Sequence, residues 1–139
     1  MSYAIFRCEG VKSLSNLSNR GKHNKRVKES YKTNPDIRIE DSHKNIELIK
    51  CDKRYIERFY EITKDYRLEF NEKMKNTRSD RKKSFYQMVN DSKSVVADEI
   101  LFTSDKIFFD SLSKDELMRW ANTVLVFVYE DMGYKKEQI

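Results

Sequence analysis

Between Leu112 and Gly133 the chain spells out one complete helix, and no other stretch constrains the fold so tightly. Ser113 followed three residues later by Glu116 makes a capping box. The hydroxyl accepts from an orphan N–H of the first turn while the carboxylate reaches back to the cap. Leu112 and Leu117 flank the box at staple positions, and Leu117, Trp120, Ala121, Val124, Phe127 and Val128 line one face. Gly133 supplies the stop. On that face Trp120 reads as a core residue rather than a platform for stacking bases.

The rest of the chain follows the same preference. One proline and three glycines leave few tight turns, so helices should dominate. From Tyr55, the residues Ile56, Phe59, Tyr60, Thr63, Arg67, Phe70 and Met74 recur at helical spacing with charges between them, which predicts one long amphipathic helix. NTRSD at 76–80 breaks it, and RKKSFYQMVN predicts a short second helix. SYAIFRC at 2–8 alternates as a strand, with Tyr3, Ile5 and Arg7 opposite Ala4, Phe6 and Cys8. VVADEILFTS at 95–104 reads as another strand, its Asp98 and Glu99 facing solvent or marking an end. Residues 12–45 are polar and without sustained periodicity, and read as a long irregular segment of the kind that tends to be functional or disordered. The six residues after Gly133 look like the approach to a further strand.

A chain of 139 residues suits one domain, 1–139, and its eight Tyr, eight Phe and one Trp need a core to bury them. No segment approaches a membrane span, and MSYAIFRCEG lacks the apolar stretch of a signal peptide. Cys8 and Cys51 have no CxxC spacing and read as free thiols in a cytoplasmic protein. Three scattered glycines cannot make a phosphate loop, and GxSxG, HExxH and HxH are absent, so conventional hydrolase chemistry has no support. Two histidines twenty residues apart make a poor metal site.

Charge is distributed unevenly. Residues 1–50 hold eleven Lys or Arg against six acids and residues 51–93 hold twelve against eight, whereas 94–139 hold five against nine. A polyanion-binding face in the first two-thirds would produce this, and so would ordinary solubility charge. Within it, NRGKHNKRVK at 19–28 sets His23 among Arg20, Lys22, Lys25, Arg26 and Lys28. Neighbouring cations disfavour a protonated imidazole, leaving a ring nitrogen able to attack an electrophile, and the same cations would attract a phosphodiester. The plainer reading is a histidine that contacts DNA or is merely exposed. Two more clusters suit phosphate contacts or a solvated face: Arg38, His43, Lys44 and Asn45 within NPDIRIEDSHKNIEL, and Lys73, Lys75, Arg78, Arg81, Lys82 and Lys83 within KMKNTRSDRKK.

These residues together resemble the MobV relaxases, the plasmid recombination and mobilisation (Pre/Mob) family. The resemblance rests on MSYAIFRCEGVK, KHNKR at 22–26, NPDI followed by NIEL at 45–48, VVADEILFTSDKIFF at 95–109 and WANTVLVFVYEDMGYKKEQI at the end. It implies an α+β fold, an antiparallel sheet flanked by helices and related to HUH endonucleases, truncated and predominantly helical in this chain. It implies plasmid DNA as partner, at a transfer origin or recombination site where one strand is nicked. His23 falls on the family's KHN nucleophile, which forms a phosphoramidate bond to the nicked 5′ end. Arg20, Lys22, Asn24, Lys25, Arg26, Asn45, Ile46 and Met132 fall on expected DNA-contacting positions. Ile46 and Met132 stand where relatives commonly carry tyrosine, which weakens any phenolic role there. The family's Mn²⁺ or Mg²⁺ is held by an HxDE…PHxH cluster expected after Ile139, so no metal ligand is expected within this chain. The resemblance therefore implies the N-terminal portion of a relaxase, with a non-catalytic DNA-binding fragment or an inactive remnant as alternatives.

Overall fold

The computed structural model describes residues 3–27 and 37–139. The chain forms two compact units, one comprising Gly10–Glu47 with Cys51–Ala97, the other the chain up to Glu9 with Leu48–Lys50 and Asp98–Ile139. Strands β1 (Ile5–Val11) and β2 (Ala97–Thr103) pair in a two-stranded antiparallel sheet. The Val96 N–H donates to the Val11 carbonyl at 2.8 Å, and the Ser104 hydroxyl donates to the Tyr3 carbonyl at 2.6 Å. The α+β class and the helix-rich balance agree with the sequence reading.

The first unit is helical around a small core. Helix α1 (Leu14–Asn24) lies inside the stretch that sequence periodicity marked as irregular. Ser13 caps it, its hydroxyl accepting from the Asn16 N–H at 3.1 Å, and Asn90 Oδ1 accepts the Leu14 N–H at 2.8 Å. Leu14 is fully buried, and Leu17 and Gly21 extend the same buried stripe. One apolar residue per turn is too thin a pattern to announce a helix in so polar a segment. Its tertiary partners decide the matter.

The predicted long helix is two: α2 (Tyr55–Ile62) and α3 (Lys64–Lys75), separated by Thr63 at φ −97° and ψ 17°. The Thr63 N–H and Oγ1–H both donate to the Phe59 carbonyl, at 3.0 and 2.7 Å. A Ser or Thr hydroxyl back-bonding to the preceding turn commonly bends a helix. Here the bend lets Phe59 and Tyr60 of α2, and Tyr66 and Phe70 of α3, all pack on one ring, Phe85. Phe85 opens α4 (Phe85–Ser92), which is held by a Ser84/Gln87 capping box. Val11, Leu14, Leu17, Phe85 and Val89 make the buried core.

In the second unit, Phe6 of β1, Phe102 of β2 and Phe127 form a ring triangle with centroids 5.0, 5.8 and 6.4 Å apart. Phe127 belongs to α6 (Lys114–Glu130), whose Ser113/Glu116 capping box is formed as read, with Gly133 at φ +77° after its end. A short helix α5 (Lys106–Ser111), capped by Asp105, has no counterpart in the sequence reading. Its Phe109 meets the half-buried Trp120 edge-on at 5.2 Å, which keeps Trp120 on the packing side.

Asp98 is exposed, as read, at the second position of its strand, where it accepts a hydrogen bond from the Tyr134 hydroxyl. That bond, then burial, pushes the phenol up to about 12. A raised phenol pKa means stability that is whole below the ordinary value near 10 and lost as pH rises through 12. In a near-ultraviolet absorbance titration Tyr134 is expected to ionise late, and Tyr134→Phe to remove that late step.

Candidate nucleic-acid interface around His23

His23 sits in the last turn of α1, not in a loop, and is half-buried. The helix is aimed by its buried stripe. Gly21 lies flat against the Tyr55 ring: a Cβ there would stand 3.1 Å from Tyr55 Cγ and 3.2 Å from Cδ2. Asn24 and Lys25 continue on that side. The Asn24 amide donates to the Tyr55 hydroxyl at 3.4 Å, and the Lys25 ammonium sits 5.9 Å from the ring centroid. Gly21→Leu must place its side chain where the Tyr55 ring is. Overpacking of this kind costs about 1–3 kcal/mol, which urea denaturation followed by circular dichroism should report.

The helix ends in a Schellman arrangement. The Val27 N–H donates to the Lys22 carbonyl at 3.1 Å and the Arg26 N–H to the His23 carbonyl at 3.2 Å, with Arg26 in the left-handed region at φ 54°. Glycine is the usual occupant there. Arginine instead folds back so that Nη1 donates to the same His23 carbonyl at 2.5 Å. His23 is thus fixed through its backbone, by two donors that do not involve its ring.

Sequence reasoning treated the surrounding cations alike, and the fold divides them. Lys25 donates to the carbonyls of Cys51 and Lys53, the latter at 3.0 Å, and so staples α1 to the segment before α2. Arg26 serves the helix end. Lys22 is exposed and Arg20 half-buried beside His23. Lys28, with Asn34, Pro35 and Asp36, lies outside the described residues.

Asn45 and Ile46 follow a 3₁₀ turn, Ile39–Lys44, in the same unit. The Asn45 N–H donates to the Ser42 carbonyl at 3.1 Å, and Ile46 is 53% exposed. An apolar side chain so open has no packing role and offers no phenol. His43 is exposed and folds back on its own turn, with Nδ1 2.8 Å from the Glu40 carbonyl oxygen. Met132 belongs to the other unit, where its N–H donates to the Phe127 carbonyl at 3.1 Å. Sequence reasoning missed Tyr55, the residue on which Gly21, Asn24 and Lys25 all converge. A glycine at helical spacing from Leu14 and Leu17 was the available signal.

The basic cluster at 73–83 divides as well. Lys75 pairs with Glu72 at 2.5 Å, Arg78 with Asp80 at 3.1 Å and Lys83 with Asp91 at 2.7 Å. Among the described residues, no three His, Cys, Asp or Glu side chains come together in a way that could hold a metal ion. Nor is any described helix long and apolar enough to cross a membrane.

Comparison with known proteins gives a consistent answer. The family model for plasmid recombination enzymes matches residues 1–137. A plasmid recombination enzyme from Bacillus sp. is 33% identical over 120 residues, which are 86% of this chain and 25% of that protein. A type 1 plasmid recombination enzyme from Staphylococcus aureus is 29% identical over 133 residues, 96% of this chain and 29% of that one. One from Streptococcus agalactiae is 32% identical over 133 residues, covering 96% and 24%. The chain spans about a quarter of the length of these curated relatives. Among solved structures, the Mn-bound MobM relaxase domain in complex with plasmid pMV158 oriT DNA superimposes with a TM-score of 0.66 and 26% identity. The match covers 94% of this chain and 58% of that one. Fold, residue pattern and family model agree: the chain belongs to the plasmid recombination enzyme family.

Proposed function

We propose that this chain works in the cytoplasm on plasmid DNA, at a transfer origin or recombination site, as the N-terminal part of a relaxase domain, 1–139. The observation that carries this is the placement of His23: a half-buried imidazole at the end of a helix locked from both sides, beside Arg20 and Lys22. The solved MobM domain that matches 94% of this chain is bound to oriT DNA. In the proposed step an unprotonated ring nitrogen of His23 attacks the scissile phosphorus. The N–P bond forms as the P–O3′ bond breaks, the 3′ oxygen leaves and takes up a proton, and the 5′ end remains on the histidine as a phosphoramidate. Arg20 and Lys22, three residues and one residue before His23, would supply charge to favour the phosphate oxygens. Lys25 and Arg26 act one remove away, holding the helix and its end.

The MobM structures contain Mn, and a divalent metal at such a centre would polarise the scissile phosphate. The described residues of this chain do not fit such an ion, so no step is assigned to one. That same observation favours a second reading, in which the chain recognises plasmid DNA without cutting it. One experiment separates the two. Labelled single strands tiling a plasmid transfer origin are incubated with the chain and Mn²⁺, then run on native and denaturing gels. A labelled band that survives denaturation supports nicking with covalent capture. A native shift without it supports recognition alone.

A further inference from the structure

One end of the first unit takes no part in the chemistry proposed around His23. Around Phe85, two tyrosines are held with much of their rings in solvent: Tyr66 of α3 is 56% exposed and Tyr86 of α4 is 39% exposed. They are not loose. Tyr66 packs edge-on against Phe85 at 5.9 Å, and Tyr86 follows directly in the chain. Phe85 itself is 5% exposed and enclosed by Phe59, Tyr60 and Phe70, so it is a rigid base for the Tyr66 ring, while Tyr86 is carried by the helix that Phe85 opens. Beside them stands the divided basic cluster. Lys75, Arg78 and Lys83 are engaged by acids, whereas Lys73, Arg81 and Lys82 make no ion pair among the described residues. Arg81 and Lys82 lie immediately before the Ser84 cap of α4, and Lys73 lies two turns along α3 from Tyr66. Arg67 adds a further cation, stacked over the Tyr60 ring at 5.6 Å, its buried Nε without an acceptor.

We propose that this surface, Tyr66 and Tyr86 with Lys73, Arg81 and Lys82, is a stacking site for single-stranded DNA, separate from the His23 end of α1. It rests on the DNA-binding reading and adds a second contact to it. The chemistry favours a single strand over a duplex, because an exposed ring face can take only a base that has left its own stack. Rings beside unengaged cations are the pairing that serves bases and phosphates at once. Asp65 and Glu69 flank Tyr66 on α3, which directs the phosphates toward Arg81, Lys82 and Lys73 and leaves the ring for the base. A pre-positioned aromatic loses little freedom on binding, so it contributes more than a flexible side chain of equal area.

The test is fluorescence anisotropy of the full chain with labelled oligothymidylate, which has no origin sequence. Tyr66→Leu with Tyr86→Leu is expected to weaken binding by about ten-fold or more, while the corresponding Phe variants retain it. Arg81→Gln with Lys82→Gln, at exposed positions that cannot disturb folding, is expected to make the salt dependence shallower by roughly 1.4 log units per log unit of salt. Affinity unchanged in both double variants overturns the proposal while leaving DNA binding by the chain intact. A chain folded by circular dichroism that binds no oligothymidylate overturns it too. Binding of origin duplex in the same assay then shows that only this surface, and not the wider DNA reading, has failed.

Discussion

Phe85→Ala is expected to cost about 3–5 kcal/mol and to abolish cooperative unfolding of the helical unit. The side chain is 5% exposed and meets four rings, Phe59, Tyr60, Tyr66 and Phe70, at centroid distances of 5.9 to 6.4 Å. Those rings come from two helices bent around Thr63, so removing their common contact undoes the reason for the bend as well as the packing. Few apolar residues here are fully buried, and the neighbouring half-buried rings would open to water rather than close the gap. A domain of this size has about 5–15 kcal/mol in total, so the loss is a large share of it. Urea unfolding followed by near-ultraviolet circular dichroism reads the effect directly, since the affected chromophores are the ones that lose their fixed surroundings. Phe85→Leu keeps most of the volume and should lose far less. Equal, small losses for both variants would mean that the ring cluster does not hold this unit together.

How much of this was legible depended on how local each determinant is. The helix at Lys114–Glu130 could be read because its cap, face and stop all lie within one stretch of sequence. Both strands and α4 could be read for the same reason. Helix α1 could not, because what makes it a helix lies far away: Asn90 caps its first turn, Tyr55 covers Gly21, and Lys25 reaches back to Cys51 and Lys53. The two helices from Tyr55 to Lys75 share one continuous apolar pattern, and only the Thr63 hydroxyl, invisible to periodicity, divides them. Charge was the least informative signal. In the sequence, Lys25 and Arg26 are two more cations near a histidine. In the fold they are fasteners, while Lys22, Arg81 and Lys82 face outward. The chemical interest of His23 came from its resemblance to a family motif, and the local sequence left it open.

The largest functional effect is expected at His23 itself. His23→Ala should remove every covalently attached oligonucleotide while changing non-covalent affinity only a few-fold. The separation is expected because the substitution leaves the helix end untouched: the Arg26 N–H and Nη1 both bind the His23 carbonyl, which alanine keeps. Leu14, Leu17 and Gly21, which seat the helix, are likewise undisturbed. The chemistry of the bond gives an independent check. A phosphoramidate to imidazole breaks in acid and persists in alkali, whereas a phosphotyrosine bond withstands both. An adduct that disappears on brief acid treatment, and that His23→Ala never forms, identifies the imidazole as the attacking group. An adduct that forms without His23, or survives acid, would transfer the role to a hydroxyl elsewhere in the chain. Tyr134 would be a poor substitute at neutral pH, since the hydrogen bond to Asp98 pushes its phenol up to about 12.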